Sequence, residues 1–350
     1  MTIRTQEMAP HRHKFQTLDA LRGVAAIVVV IFHNRMLFGF LPRHGYLAVD
    51  LFFNLSGFVL SYSYQQRLDQ GLSSAAFLRA RIIRLSPLYF FALAFGVAGI
   101  CLATTGGWLR LTWQQHLEFI ALGLFLLPAH SAALPGMAMY PYNYPSWSLF
   151  LELLMNVGHA LFLRRLRTPV LACICGGFAL ALIAIYLHSR NLDAGWNWLT
   201  LFTVGIVRVG FSYTCGMLLF RAWSSKARHV KLPASLLLLL TFAALVVPTP
   251  HNAFFALVTI LFLIPAIIYS GAFNEPGKFS WRVFGSLGAA SYAIYVLHAP
   301  FYVLFKSLWP ASTTDAPWAG LLMLAPLIAV SLIIDRFYDT PVRELLRNHA

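Results

Sequence analysis

The chain has 350 residues, of which 59% are hydrophobic and only 11% are charged. Because roughly a quarter of the residues of a soluble domain are charged, this composition excludes an ordinary soluble protein and indicates a polytopic membrane protein. The net charge of +14 does not indicate nucleic-acid binding, because the basic residues are divided among short loops, as membrane topology predicts.

Residues 1–17 form a polar basic tail that lacks the pattern of a removable signal peptide, and eleven apolar windows follow. In chain order they are 18–38, 46–64, 85–104, 117–128, 146–163, 169–188, 197–220, 232–248, 253–272, 283–308 and 318–338. A spanning helix needs about 20 apolar residues. The 117–128 window is too short, so we expect it to re-enter the membrane or to lie on its outer surface.

The positive-inside rule then favours ten spanning helices with both termini in the cytoplasm. In that arrangement the outer loops keep few basic residues beyond Arg43, Arg110 and Arg190. We therefore predict an all-α integral protein of the inner (cell) membrane with about ten transmembrane helices. Its parts are a cytoplasmic tail at 1–17, one membrane domain at 18–340 and a second cytoplasmic tail at 341–350.

The first window carries two ionisable residues, Arg22 and His33. An ionisable residue in a transmembrane segment is costly, and by default it indicates function. The two residues are eleven apart, about 20° past three full helical turns, so they share one face at a separation of roughly 16 Å. They can contact two parts of one elongated ligand, or each can simply satisfy a buried partner nearby.

Three further proton-handling side chains, Asp50, Glu152 and His298, fall at a depth similar to that of His33 in this topology. A neutral imidazole beside a carboxylate is suited to act as a general base. We therefore predict His33, Asp50, Glu152 and His298 as catalytic residues. Asp50 has an alternative interpretation as the N-cap of an interfacial helix. Each of the other three can instead pair with a nearby polar group that satisfies its buried polarity.

On the cytoplasmic side, Arg79, Arg81 and Arg84 stand at the entrance of a helix, and Arg81 and Arg84 share a face. Guanidinium groups match the geometry and charge of phosphate oxygens. Together with Arg22, this pair predicts an inner site for an anionic, phosphate-bearing molecule, with positive-inside anchoring as the alternative. The cysteines lie in apolar stretches without metal spacing, so we expect buried thiols and no metal site.

Six patterns in this order resemble the membrane-bound acyltransferase 3 family. They are Leu18-Asp19-Ala20-Leu21-Arg22-Gly23 through His33; Val49 to Phe58; Arg81 with Arg84; Trp147-Ser148-Leu149 with Glu152; Ser291-Tyr292, Tyr295 and Leu297-His298; and Asp339-Thr340-Pro341-Val342-Arg343. One pattern alone is weak evidence for the family, whereas all six in order are specific to it. The family usually has glutamate at the position of Asp339.

The resemblance implies that cytoplasmic acyl-CoA, above all acetyl-CoA, donates an acyl group to an acceptor hydroxyl reached from the other side. The acceptor would be a cell-surface or lipid-linked glycan, or a small secondary metabolite. Arg22, Arg81 and Arg84 would bind the CoA phosphates. His33, oriented by Asp50, Glu152 or Asp19, would take the hydroxyl proton. Direct transfer is simplest, with Ser56 and Ser148 as candidate nucleophiles for a two-step route.

Other expectations concern partners and rival functions. The outer loop near 135–147, rich in tyrosine and proline, is a candidate sugar-stacking surface. Because the chain ends at Ala350 without the esterase-like domain of some family members, we expect it to act alone or with a separate glycan-assembly partner. A transporter or flippase would use the buried charges as a proton relay. A non-catalytic assembly protein would use Arg22 and His33 only to hold helices together.

Overall fold

The computed structural model describes residues 13–105, 111–130, 139–227, 231–249, 252–274 and 281–349, with the backbone alone at 102–105, 281–284 and 287. Every regular element in these ranges is a helix, which confirms the all-α prediction. The main helices are α1 (Gln16–His33), α2 (Ala48–Asp69), α3 (Ser74–Thr105), α4 (Trp113–Leu124), α5 (Ser146–Leu161), α6 (Thr168–Ser189), α7 (Trp198–Ser224), α8 (Ala234–Val246), α9 (Asn252–Ala272), α10 (Trp281–Leu308) and α11 (Trp318–Asn348).

Eight of these helices in the described ranges are long and apolar enough to cross a membrane: α1, α2, α3, α6, α7, α9, α10 and α11. The chain is therefore a multi-pass membrane protein. The remaining helices have 12 residues (α4), 16 residues (α5) and 13 residues (α8), fewer than the roughly 20 that a span needs. A total of ten spans and the cytoplasmic termini stay predictions.

The short helix α4 begins with a capping box, in which Thr112 and Gln115 bond each other's backbone N–H groups. Its apolar side chains Trp113 and Leu117 are exposed, whereas His116 and Phe119 are buried. A helix with apolar exposed residues that is too short to span is suited to the membrane interface. The expectation that 117–128 re-enters the membrane or lies on its outer surface stays a prediction.

Two helix boundaries differ from the sequence windows. Helix α3 begins directly after Ser73, whose Oγ caps it by accepting the Ala76 N–H at 3.1 Å, so Arg81 and Arg84 lie inside the helix rather than at its entrance. Helix α11 continues to Asn348, past the boundary expected at residue 340. It does so through a π-helical turn at Asp335–Asp339.

Helices α1 and α10 form the centre of the molecule, and α1 also packs against α2, α8 and α9. Arg22 contacts Ser291 and His33 contacts His298. Because these contacts follow in the same order along both helices, α1 and α10 run parallel. Helices α2 and α7 also approach each other closely, since a Cβ on Gly57 would collide with the Tyr213 carbonyl oxygen.

Candidate active site

A cavity of about 240 Å³ lies between α1, α2, α3, α5 and α10. Its polar lining includes four residues that the sequence singled out, namely Arg22, Arg81, Arg84 and Glu152. The opposite wall comes largely from α2 and is apolar; it contains Val49, Phe52, Phe53, Leu55, Val59 and Leu60. Such a cavity, with a few convergent charges on an apolar wall, has the general form of a small-molecule site.

Arg22 is held firmly in this lining. Its Nε donates to Ser291 Oγ at 2.7 Å, and its Nη2 donates to the Gly288 carbonyl at 2.6 Å. The carboxylate of Asp19, one turn earlier on α1, lies 3.2 Å from the same Nη2. The guanidinium therefore tethers α1 to α10 while keeping 35% of its side chain exposed.

The other two arginines lie one turn apart on α3 and differ in depth. Arg81 is 13% exposed and donates to Glu152 Oε1 at 2.8 Å. Arg84 is 33% exposed, lies 3.7 Å from the Asp339 carboxylate, and covers the ring of Tyr292 at 5.1 Å. Arg22 and Arg84 are thus the more open cations of the cavity, and Arg81 is the enclosed one.

Hydroxyl groups surround the inner part of the cavity. Ser56 Oγ lies 3.4 Å from Glu152 Oε1. Ser148 lies one helical turn before Glu152 on α5, and its Oγ is 2.6 Å from the Tyr295 hydroxyl. The ring of Tyr295 lines the cavity and packs edge-on against Phe52 at 5.4 Å.

The two predicted histidines meet on the far side of Tyr295. His298 Nε2 lies 3.1 Å from His33 Nδ1, and the two rings are nearly parallel, with an angle of 17° between their planes and centroids 5.1 Å apart. His298 is fully buried, whereas His33 is exposed at the end of α1. The ring of Tyr144 packs edge-on against both, at 4.9 Å from His33 and 5.8 Å from His298.

The hydrogen bonds assign the protons of the neutral pair. His298 Nδ1 lies 2.6 Å from the Tyr295 carbonyl oxygen, which only accepts, so that nitrogen carries the proton and His298 Nε2 has the lone pair. His33 Nδ1 must then donate to His298 Nε2. The remaining nitrogen, His33 Nε2, keeps its lone pair and is the basic atom of the pair.

Asp50 lies elsewhere, in a buried ion pair between α2 and α7. It accepts from Arg208 Nη2 and, at 3.3 Å, from Arg208 Nε. The same guanidinium donates to the Ala194 carbonyl at 2.9 Å and to the Tyr46 carbonyl at 3.2 Å. Helix α2 starts at Ala48 after Leu47 in the cap position, so Asp50 belongs to the first turn and is not the N-cap.

These contacts correct the expectation that an acid orients His33. Among the described residues, the ionic partners of Asp19, Asp50 and Glu152 are arginines. His33 Nδ1 instead donates to His298 Nε2. The orienting group is an imidazole because the carboxylates at this depth already neutralise buried cations.

The sequence interpretation missed Arg208, which is 3% exposed within the 197–220 window. The signal for it existed, since it is an ionisable residue in an apolar segment like Arg22.

Sugar stacking by the loop near 135–147 stays a prediction. Two of its tyrosines are buried: Tyr140 donates to the Leu126 carbonyl at 2.9 Å, and the Tyr142 hydroxyl lies 2.8 Å from His116 Nδ1. Residues 135–138 of that loop lie outside the described residues.

In the described ranges, no group of three or more His, Cys, Asp and Glu side chains is placed to hold a metal ion. Fold and site together define a multi-pass helical membrane protein with an arginine-lined cavity next to a histidine pair.

The chain belongs to the acyltransferase 3 family, whose model, described as an acyltransferase domain, matches residues 15–336. This confirms the resemblance drawn from the six motifs and makes the protein a membrane-bound acyltransferase. No solved structure matches the chain.

Two curated proteins are similar to it. "Protein 2 in picA locus" of Rhizobium radiobacter is 42% identical over 156 residues, which cover 42% of this chain and 81% of that protein. Peptidoglycan O-acetyltransferase OatA of Listeria monocytogenes serovar 1/2a is 22% identical over 375 residues, which cover 94% of this chain and 56% of that protein. The similarity to OatA thus extends over little more than half of OatA's length.

Proposed function

We propose that the protein transfers an acyl group, in the first place acetyl, from acyl-CoA to a hydroxyl of a cell-surface or lipid-linked glycan. The proposal rests on one observation: the ring of Tyr295 lines the arginine-lined cavity and lies 5.9 Å from His298, which bonds His33. Membership of an acyltransferase family supports acyl transfer. The similarity to a peptidoglycan O-acetyltransferase supports a glycan hydroxyl as the acceptor.

The donor occupies the cavity with its phosphates at the open end. Arg22 and Arg84, the more exposed arginines, bind phosphate oxygens through their guanidinium forks. The pantetheine arm follows the apolar wall of α2. Arg81, which is more enclosed, faces the thioester end. Phosphate competes with Asp19 for Arg22 at little cost, because partly exposed ion pairs contribute about 0–1 kcal/mol.

The acceptor hydroxyl approaches the exposed side of His33. His33 Nε2 removes the hydroxyl proton as the acceptor oxygen bonds the thioester carbonyl carbon. The carbon–sulfur bond then breaks, and the leaving sulfur takes the proton back from His33. The products are an acyl ester and the free thiol, so no proton is gained or lost. His298 positions His33 and stabilises its protonated form through the Nδ1–H bond.

In this proposal the arginine end of the cavity faces the cytoplasm and His33 faces the opposite side of the inner membrane. Helices α5 and α8, which are shorter than a full span, cross together with their flanking apolar residues and bring the total to ten spans, with both termini cytoplasmic. The depth order supports this arrangement, because Arg22 and His33 lie near opposite ends of α1. A separate glycan-assembly protein then delivers or removes the acceptor.

The test is transfer of radiolabelled acetyl from acetyl-CoA into the glycan fraction of membranes that contain the protein. His33→Ala should lower the labelling rate by about 100-fold or more, since a general base contributes roughly 10²–10⁴-fold. His188→Ala is the matched control, because His188 is an exposed histidine at the end of α6 and should keep the wild-type rate.

The same membranes distinguish the rival functions. Wild-type labelling by His33→Ala protein at equal abundance would remove His33 as the base. Absence of labelling together with absence of thermal stabilisation by acetyl-CoA would remove acyl-CoA as the donor. That second result would favour a transporter, since a ligand that binds the folded state stabilises it by RT ln(1 + [L]/Kd).

A further inference from the structure

The C-terminal part of α11 places a buried acid directly behind the cavity. Asp339 is fully buried, and its Oδ2 lies 3.0 Å from Arg343 Nη2 and 3.7 Å from Arg84 Nη1. Arg343 Nη2 also lies 3.6 Å from Asp335 Oδ1. Two acids and two arginines therefore form one continuous charge network. It reaches from the last helical turns of the chain to an arginine of the cavity.

The backbone of α11 is shaped to make this contact. A π-helical turn at Asp335–Asp339 separates the segment Trp318–Ile334 from the segment Thr340–Asn348. Such turns are rare and are often found at functional sites. Within this one, Tyr338 donates to the Pro87 carbonyl of α3 at 3.3 Å. The turn thus docks onto α3 within one helical turn of Arg84.

Arg84 is held from two sides and stays open on a third. Its guanidinium lies over the Tyr292 ring, and the Tyr292 hydroxyl is fixed by a 2.7 Å bond to the Leu85 carbonyl. Arg84 Nη1 is buried and has no hydrogen-bond acceptor among the described residues, so it meets Asp339 through charge alone. The remaining nitrogens keep their donor capacity for the cavity that Arg84 and Tyr292 line.

Arg84 has the longest ion-pair distance in this network. Asp339 lies closer to Arg343, at 3.0 Å, than to Arg84, at 3.7 Å, and Asp335 is a second acid beside Arg343. Arg84 is therefore anchored by charge without a hydrogen bond to an acid, and its guanidinium remains available to a phosphate in the cavity.

We propose that Asp339 and Arg343 are positioning residues that fix Arg84 in the cavity wall before the acyl donor binds. The C-terminal end of α11 is then part of the donor site and not a tail outside it. This inference rests on the proposed function, because it assumes a donor that carries phosphate groups.

The test is CoA binding to full-length protein in nanodiscs, measured by isothermal titration calorimetry with Arg84→Gln, Asp339→Asn, Arg343→Gln and the double variant Arg84→Gln/Asp339→Asn. We expect each single change to weaken CoA binding by about 10-fold, the size of one charge-assisted hydrogen bond. The double variant should bind as weakly as Arg84→Gln alone, since both changes remove one interaction. Asp339→Glu keeps the carboxylate and should bind CoA as the wild type does. In the three single variants that weaken binding, KM for acetyl-CoA should rise with kcat unchanged.

Asp69→Asn is the matched control. It breaks another acid–arginine pair, with Arg164 at 3.3 Å, without touching the cavity, and it should bind CoA as the wild type does. Size-exclusion chromatography and thermal melting report whether each variant is folded, and Arg343→Gln serves if Asp339→Asn does not fold.

The outcomes separate the two proposals. Weak binding by Arg84→Gln with wild-type binding by folded Asp339→Asn and Arg343→Gln would overturn the positioning role alone. Additive losses in the double variant would overturn it as well. Wild-type protein that does not bind CoA would overturn the proposed function, and this inference with it.

Discussion

His298→Leu is the sharpest test of how the histidine pair works. Leucine keeps most of the volume of the buried imidazole, but it removes the acceptor that now bonds His33 Nδ1 at 3.1 Å. His33 then loses both the group that fixes its tautomer and the group that stabilises its protonated form. If His33 is the base, this loss must lower the rate of the chemical step.

The magnitude follows from that one bond. A hydrogen bond to a charged group contributes about 1.5–3 kcal/mol, and each 1.36 kcal/mol corresponds to tenfold in rate. We therefore expect kcat to fall roughly 10-fold to 150-fold. KM for acetyl-CoA should stay unchanged, because the arginines that bind the donor lie beyond Tyr295, in the cavity lining. His298→Gln should recover part of kcat, since its amide oxygen can accept from His33.

The assay is initial-rate kinetics with radiolabelled acetyl-CoA and purified protein in nanodiscs. His159→Leu is the control: His159 is another fully buried histidine, but it stacks on Phe77 at 5.7 Å and bonds neither His33 nor His298. A wild-type kcat in His298→Leu, or an equal loss in His159→Leu, would refute the role of His298 in positioning and stabilising His33.

Two further predictions concern the buried ion pair and the tyrosine between the two parts of the site. Asp50→Asn should lower the free energy of unfolding by about 3–5 kcal/mol, because it leaves Arg208 buried without its counter-charge. The double variant Asp50→Asn/Arg208→Met should recover much of this in thermal melts, and a double variant no more stable than the single one would contradict the ion-pair account. Tyr295→Ala should raise hydrolysis of acetyl-CoA in the absence of acceptor, because it removes the ring that lines the cavity and lies 5.9 Å from His298. Tyr295→Phe keeps the ring and loses the hydroxyl bonds to Ser148 and to the Pro145 carbonyl, so its hydrolysis rate should lie between those of the wild type and Tyr295→Ala. Equal hydrolysis in all three proteins would show that Tyr295 does not separate donor from water.

The sequence was sufficient for what depends on local pattern. Each of the eleven apolar windows corresponds to a helix of the structure, because hydrophobic length is read along the chain. The spacing on α1 was equally informative. Arg22 lies in the cavity lining and His33 lies at the histidine pair. Their shared face and their separation along α1 follow from helical geometry alone.

Pairing between distant helices could not be read in the same way. The topology put Asp50, Glu152, His33 and His298 at similar depth, but depth does not say which side chains face each other. Asp50 faces α7 and pairs with Arg208, 158 residues away. His33 and His298 meet because α1 and α10 run parallel side by side, and that neighbour relation is absent from any single window.

Charge balance explains why the imidazole, and not an acid, orients His33. In the bilayer an ionised group without a counter-charge is costly. The acids at the site obey this rule: Glu152 pairs with Arg81, Asp50 with Arg208, and Asp339 with Arg343 and Arg84. A carboxylate next to His33 would have needed another cation to neutralise it before the reaction begins. Two neutral imidazoles need none, and they acquire one positive charge only while His33 holds the proton of the acceptor.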